Sequence, residues 1–282
     1  MSQITPDMIK ELRERTGVGM GKCKEALEAA GGNMDLAIDN LRKAGMASAV
    51  KKEGRETKEG IIKVGENSSS VVLIEINAET DFVVKNDKFQ EFATSLLAEV
   101  RQGSPVTLQE FLAQKYSKDP AHTIDEYRAL TVQSLGENIQ IKRVEIFPKH
   151  PGMTVGFYSH MGGKLVTLVV IEGSDAESGL AKDIAMHIAA ESPEYLSSSE
   201  VPPRVLEHEK EIAKAQIKDK PANIIDKIVE GKLKAYFDQS CLLNQKFVKD
   251  SSLSIQELVD KRAKEVGKPL KLTQFLRWKV GA

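Results

Sequence analysis

Near the start of the chain, apolar residues recur at three- and four-residue steps, the spacing that gathers them on one side of an α-helix. Ile4, Met8 or Ile9, and Leu12 form one such face, with Thr5 placed to cap the helix, Pro6 in its first turn and Gly17 at its end. Met20, Cys23, Leu27 and Ala30 mark a second helix, roughly Met20 to Ala30, stopped by Gly31-Gly32. Asn33 caps a third, whose inner face is Met34, Ala37, Ile38 and Leu41 and which Gly45 closes. Residues 1–45 are thus predicted to be a three-helix module, marginal on its own at that size. Residues 46–59, MASAVKKEGRETKE, lose the periodicity and read as a linker.

From Gly60 the grammar changes to strands. GIIKVGENSSSVVLIEIN predicts two strands around Gly65-Glu66-Asn67-Ser68, followed by a helix with Phe89, Phe92, Leu96 and Val100 on one face. TLQEFLAQKY and TIDEYRALTVQSLGEN predict two more helices, and IQIKRVEIF, 139–147, alternates as a strand. The pattern then recurs: TVGFYSHMGGKLVTLVVIEG is a pair of strands around Met161-Gly162-Gly163, ESGLAKDIAMHIAAE is the helix after them, and LKLTQFLRWKV is a delayed third strand. The repeat is read as one of pattern, not of residue identity. Between its parts lie two helical segments separated by Lys220-Pro221; the first offers Val205, Ile212 and Ala213, with Leu206 at the edge, and the second Ile225, Ile228, Leu233 and Tyr236, stripes that suit an antiparallel hairpin. The expected fold class is α+β. The divisions are 60–148 for a first subdomain, 149–193 with 238–282 for a second, each a three-stranded antiparallel sheet with helices, and 194–237 for the inserted hairpin.

Charge narrows the partners. Forty Lys and Arg stand against 41 Asp and Glu, a balance that argues against a phosphate backbone as main ligand. The cluster Lys51, Lys52, Arg55 and Lys58 is interleaved with Glu53, Glu56 and Glu59 and reads as a solvated face. No apolar run approaches the roughly 18 residues of a membrane helix. Two cysteines, Cys23 and Cys241, do not make a disulfide framework, so a reducing cytoplasm is expected.

Convergent reactive groups are not visible. His122, His150, His160, His187 and His208 have no metal-ligand spacing, and neither CxxC nor HExxH occurs. GVGMGK, Gly17 to Lys22, follows a helix rather than a strand and lacks phosphate-loop spacing. Cys23 reads as a small buried hydrophobe, His187 as a core histidine with a backbone partner, Trp278 as packed in the last strand, and His160 as exposed beside its turn. No cofactor and no covalent chemistry are expected.

One stretch stands out. In NAETDFVVKND, Asp81 and Phe82 follow an apolar strand where a short polar turn would be enough. On one reading Asp81 caps the next helix and Phe82 folds into the core. On the other, both face outward to a partner.

KELRERTGVGMGKCKEAL, then INAETDFVVKNDKF, then GENIQIKR, in this order, resemble the bacterial elongation factor Ts family, nucleotide exchange factors of the GTPase elongation factor Tu. The resemblance spans nearly the whole chain. It implies that residues 1–45 are similar to a ubiquitin-associated domain and that the hairpin serves dimerisation or a two-to-two complex with the GTPase. It further implies that Thr80, Asp81, Phe82 and Val83 intrude beside the magnesium bound to the GTPase. Arg13, Met20 and Lys24 would grip a helix of the GTPase domain, Leu135 and Gly136 would contact it near the nucleotide, His160 would help shift its phosphate loop, and Val248 would touch another of its domains. Two departures are visible: Met20 is followed by Gly21 where some members have a second methionine, and the chain ends at Ala282, so the further C-terminal helical module of some members is expected to be missing. The competing expectation is a protein-binding adaptor that uses the N-terminal module, with Asp81 and Phe82 as ordinary cap and core residues. A third, an enzyme whose site is not visible in the sequence, would show turnover without any added GTPase.

Overall fold

Thr5 opens the first helix, its hydroxyl accepting from the Met8 amide at 3.3 Å. The structure, a computed structural model, describes residues 4–16, 18–103, 107–216 and 222–282. Helices α1 (Pro6–Thr16), α2 (Met20–Ala29) and α3 (Met34–Lys52) enclose Leu12, Val18, Cys23, Leu27, Ala37 and Leu41. Asn33 caps α3 by accepting from the Leu36 amide at 3.0 Å. The expected stop at Gly17 lies outside the described residues. Met20, expected in the apolar stripe of α2, is instead 43% exposed in the helix's first turn. Cys23 is fully buried, and burial pushes its thiol up from the ordinary value.

Gly45 does not close α3, which runs on to Lys52. A Cβ there would lie 3.0 Å from Gln133 Oε1, so the glycine is a notch at which α3 passes close to a later helix, α7 (Ile124–Leu135). Beyond the notch Met46 and Ala49 join the next core, and only residues 53–58 of the expected linker lack regular structure. Arg42 of α3 is paired with Glu126 at the start of α7. Burial disfavours charge on Glu126, but the Arg42 guanidinium and the Thr123 amide outweigh it and hold the carboxyl below its usual range.

Contacts divide the chain into two units. The first comprises Met1–Pro148, Gly162–Lys164 and Lys279–Ala282, the second Lys149–Met161 and Leu165–Trp278. In the first, β1 (Glu59–Glu66), β2 (Ser70–Ala78) and β5 (Ile139–Pro148) form an antiparallel sheet in the order β1-β2-β5. The β1–β2 turn is set by Asn67, whose Oδ1 accepts from the amides of Ser69 and Ser70 at 2.9 and 2.7 Å. Against the sheet lie α4 (Asp81–Val84), α5 (Asp87–Gly103), α6 (Leu108–Ala113) and α7. The predicted stripe Phe89, Phe92, Leu96 and Val100 is fully buried. In the second unit β6 (Met153–His160), β7 (Leu165–Glu172) and β10 (Lys271–Lys279) make a sheet in the order β10-β7-β6, packed by α8 (Ser178–Glu191) and α11 (Ile255–Val266). The inserted helices are α9 (Pro203–Ala215) and α10 (Ala222–Ser240), which contact each other. Their expected stripe is only partly right: Ala213 and the unforeseen Val229 are buried, Ile225, Ile228, Leu233 and Tyr236 are half-buried, and Ile212 is exposed. Lys220-Pro221 lies outside the described residues.

The repeat also needs correction, because it does include residue identity. Two short ribbons escaped the sequence reading: β3 (Lys115–Tyr116) with β4 (Asp119–Thr123), and β8 (Lys246–Phe247) with β9 (Asp250–Ser254). Lys115 faces Thr123 and Tyr116 faces Asp119, just as Lys246 faces Ser254 and Phe247 faces Asp250. Each ribbon feeds a helix through a capping box, Thr123 with Glu126 and Ser254 with Glu257. QKYSKDPAHTIDE and QKFVKDSSLSIQE, Gln114–Glu126 and Gln245–Glu257, share Gln, Lys, Lys, Asp, Ile and Glu in register. α11 belongs to this repeat and was also unforeseen.

Two outcomes test this packing. A Cβ on Gly156 of β6 would sit 2.4 Å from Ala181 Cβ of α8, so Gly156→Ala should lower stability to urea by about 2–3 kcal/mol with little change in slope. Glu126 has a folded pKa below its unfolded one, so its contribution is complete above the unfolded value and is lost as pH falls through the folded value. Glu126→Gln should therefore cost about 1–2 kcal/mol at pH 7 and progressively less through the acidic carboxylate range, as read by urea melts across pH.

Candidate functional site

β2 ends at Ala78, and the chain then makes a single turn of helix, α4, before entering α5. The cap of α4 is Thr80, not Asp81: the Thr80 hydroxyl accepts from the Val83 amide at 3.3 Å. Val84 points inward and is 6% exposed, Val83 is half-buried against the same core, and Phe82 is 82% exposed. The reading with a capping Asp81 and a core Phe82 is thereby overturned. On one helical turn the core can take only the side chains of one face, and Val83 and Val84 fill it.

Asp81 accepts from Lys85 Nζ at 2.7 Å, and that bond holds its carboxyl below the usual range. Both are solvent-facing, so the pair adds little to stability; its effect is to keep a carboxylate charged beside an exposed ring.

What fixes the turn is a second segment, the loop after α7. Glu137 receives the Thr80 hydroxyl at 2.6 Å and the Thr80 amide at 3.0 Å. In return Glu79 Oε1 accepts from the Asn138 amide at 2.6 Å, and it is paired with Arg55 at 3.4 Å. Asn138 is fully buried and donates to the backbone oxygens of Glu53 and Arg55. Leu135 and Gly136 stand at the start of this loop; Gly136 ends α7 in the left-handed region at φ +83°, which a side chain would strain. The structure thus brings Thr80–Val83 and Leu135–Gly136 together. Glu79, Glu137 and Asn138 were missed as positioning groups. The available signal was their place inside the ETDF and GEN motifs, where two acids and an amide flank the residues singled out.

The other expected contacts are accessible on their own elements. Arg13, Met20 and Lys24 are exposed on α1 and α2, with Lys24 3.7 Å from Glu28. In the second unit His160 ends β6, exposed, with Nδ1 3.1 Å from the Tyr158 hydroxyl, and Val248 is 46% exposed between β8 and β9. Among the described residues no group of His, Cys, Asp and Glu is assembled to hold a metal ion, and no helix is long and apolar enough to cross a membrane.

A family model described as Elongation factor TS matches residues 79–282. The chain is 60% identical to the elongation factor Ts of Protochlamydia amoebophila over 281 residues, all of both chains. It is 47% identical to that of Chlamydia muridarum and 48% to that of Chlamydia pneumoniae, again over the full length of each. The matched region opens at Glu79, the residue that ties the α4 turn to Asn138. With full-length identity of this order, the chain belongs to the elongation factor Ts family.

Proposed function

We propose that this chain is a guanine nucleotide exchange factor that binds elongation factor Tu carrying GDP and loosens the nucleotide by driving Thr80–Val83 against the GTPase beside its magnesium ion. The observation that carries the mechanism is Phe82, a large aromatic ring left 82% exposed on a turn whose Val84 is buried, whose Val83 is half-buried and whose cap is held by Glu137. An aromatic anchor on a fixed support, next to a charged carboxylate, has the composition of a binding hot spot.

The work is done by binding alone. Magnesium bridges phosphate oxygens to protein ligands and neutralises their charge. A partner that displaces it weakens nucleotide binding, and by linkage the nucleotide weakens the partner's binding by the same factor. Each tenfold of loosening takes about 1.4 kcal/mol of differential binding. Burying a phenyl ring supplies about 2 kcal/mol or more, and charge-assisted hydrogen bonds from the partner to the Asp81 carboxylate add to it where they exceed the cost of taking that charge out of water. GTP then enters by mass action, and no bond in this chain is made or broken.

In the same reading residues 1–45 act as a ubiquitin-associated-like module that grips the GTPase through Arg13, Met20 and Lys24. Leu135 and Gly136 add contacts near the nucleotide, His160 assists at the phosphate loop, and Val248 meets a further domain. Residues 60–148, and 149–193 with 238–282, are the two core subdomains. The α9–α10 hairpin, with Ile212 and Ile224 exposed, serves a second copy of the chain.

The decisive measurement is release of labelled GDP from purified elongation factor Tu. Wild type should accelerate release; Phe82→Ala should lose about thirtyfold or more and Asp81→Ala less, with the melting temperature of Phe82→Ala unchanged because the ring packs on nothing of its own. A Phe82→Ala protein that unfolds easily, or that still releases GDP at the wild-type rate, removes the mechanism. Glu137→Gln should separate support from contact: it keeps size but weakens the hold on Thr80, so release should slow by about tenfold and amide exchange across residues 79–84 should accelerate.

A further inference from the structure

The two halves hold their ribbons with different side chains from the same place. α5 carries Leu96, Glu99 and Val100 where α8 carries Ile184, His187 and Ile188, at the same spacing. Glu99 is 2% exposed and accepts from the Ser117 amide at 3.2 Å and from the Ser117 hydroxyl. His187 is fully buried, and its Nδ1 accepts from the Val248 amide at 3.3 Å. Ser117 and Val248 are the same position of the two ribbons.

The proton on His187 can be assigned from its neighbours. An amide only donates, so Nδ1 bears the lone pair and Nε2 the hydrogen, which goes to Gln245 Oε1 at 2.9 Å. The Gln245 amide nitrogen in turn donates to the Gln239 carbonyl of α10 at 2.6 Å. Every link has one direction, and a neutral imidazole is required; burial lowers the pKa of His187 and favours that form, while the Gln245 bond and Glu191 oppose it. Phe247 is buried beside the imidazole, with ring centres 6.1 Å apart, and Lys249 is tied to Asp183 at 2.8 Å. Phe247 before Val248 is buried, Lys249 after it is paired, the Val248 amide is held, and the valine side chain is left 46% exposed.

The comparison with the first half gives this its meaning. There the clamp takes both the amide and the hydroxyl of Ser117, so nothing apolar is presented. Here the clamp takes only backbone. We propose that His187 is a positioning residue for partner binding, which fixes the Val248 amide so that the valine side chain is offered to the GTPase in one place. This rests on the exchange-factor reading above.

The test is a titration of GDP release from elongation factor Tu, paired with calorimetric binding, using wild type, Val248→Ala, His187→Leu, their double variant, and His187→Asn. His187→Leu and Val248→Ala should each raise the half-saturating concentration about three- to tenfold, and the double variant should be no worse than the weaker single one. His187→Asn, whose side-chain oxygen reaches the Nδ1 position, should return binding to within about twofold of wild type. The proposal is overturned if folded His187→Leu binds as wild type, if the two losses multiply, or if the loss falls on the maximal rate alone. Should His187→Leu fail to fold, His187→Asn is compared with His187→Gln, whose oxygen lies at the Nε2 position and cannot serve Val248; equal affinity of these two also overturns it. Wild type that binds the GTPase without accelerating release defeats the exchange reading instead, and the affinity comparison still decides the role of His187.

Discussion

The site depends on a reciprocal exchange between two loops. Glu137 takes both donors of Thr80, and Glu79 takes the amide of Asn138. Each loop supplies an acid to the other's backbone, so neither can shift without leaving a carboxylate or an amide unpaired, which is costly where Asn138 is fully buried. A four-residue helix has no stability of its own. Held in this way, it can keep a phenyl ring in water, forgoing about 1.5–3 kcal/mol that burial would have contributed. The same loop carries Leu135 and Gly136, so residues far apart in sequence become one surface.

The duplication explains how one chain builds two supports from one plan. Each half uses a ribbon, a capping box and a buried group on an earlier helix, α5 or α8, that holds the ribbon's backbone. The differences lie at the ends. Glu126 closes the first box and also receives Arg42 from α3, which ties the N-terminal helices to the core. Glu257, its counterpart, lies 3.7 Å from Lys246 of its own ribbon. Local capping chemistry is thus kept, and the spare charge is put to different use.

Much of this was legible in the sequence because it depends on period. The stripe Phe89, Phe92, Leu96 and Val100, the strands on either side of Gly163 and the exposed place of His160 all follow from spacing and turn chemistry, whereas the first strand pair turns at 67–69 and keeps Gly65 and Glu66, expected in the turn, inside β1. What escaped depends on tertiary contact. Gly45 looks like a stop, but it is a notch for α7. Met20 has the spacing of a core residue, but in the first turn of α2 it is left 43% exposed. The ribbons are two to five residues long, too short for a period, and they surface only when Gln114–Glu126 is laid on Gln245–Glu257. Asp81 and Phe82 could not be settled by pattern, since an acid before an aromatic at a helix start fits a cap and a core as well as a contact; the family resemblance, not the spacing, pointed outward.

Rigidity is what links these observations. On the proposed reading, energy gained when Phe82 is buried by the GTPase can be turned against the nucleotide only if this chain does not yield first. A ring on a loose turn would bury itself by moving, and no strain would reach the magnesium site. The Glu137 hold on Thr80, the filling of the inner face of α4 by Val83 and Val84, and the tethering of residues 53–55 through Asn138 all oppose such movement. At Val248 the fixed His187 and Gln245 chain meets the same demand with other chemistry. A protein that acts by binding alone shifts its partner only by as much as it binds the partner's two states differently, and a stiff support keeps that difference from being lost in its own movement.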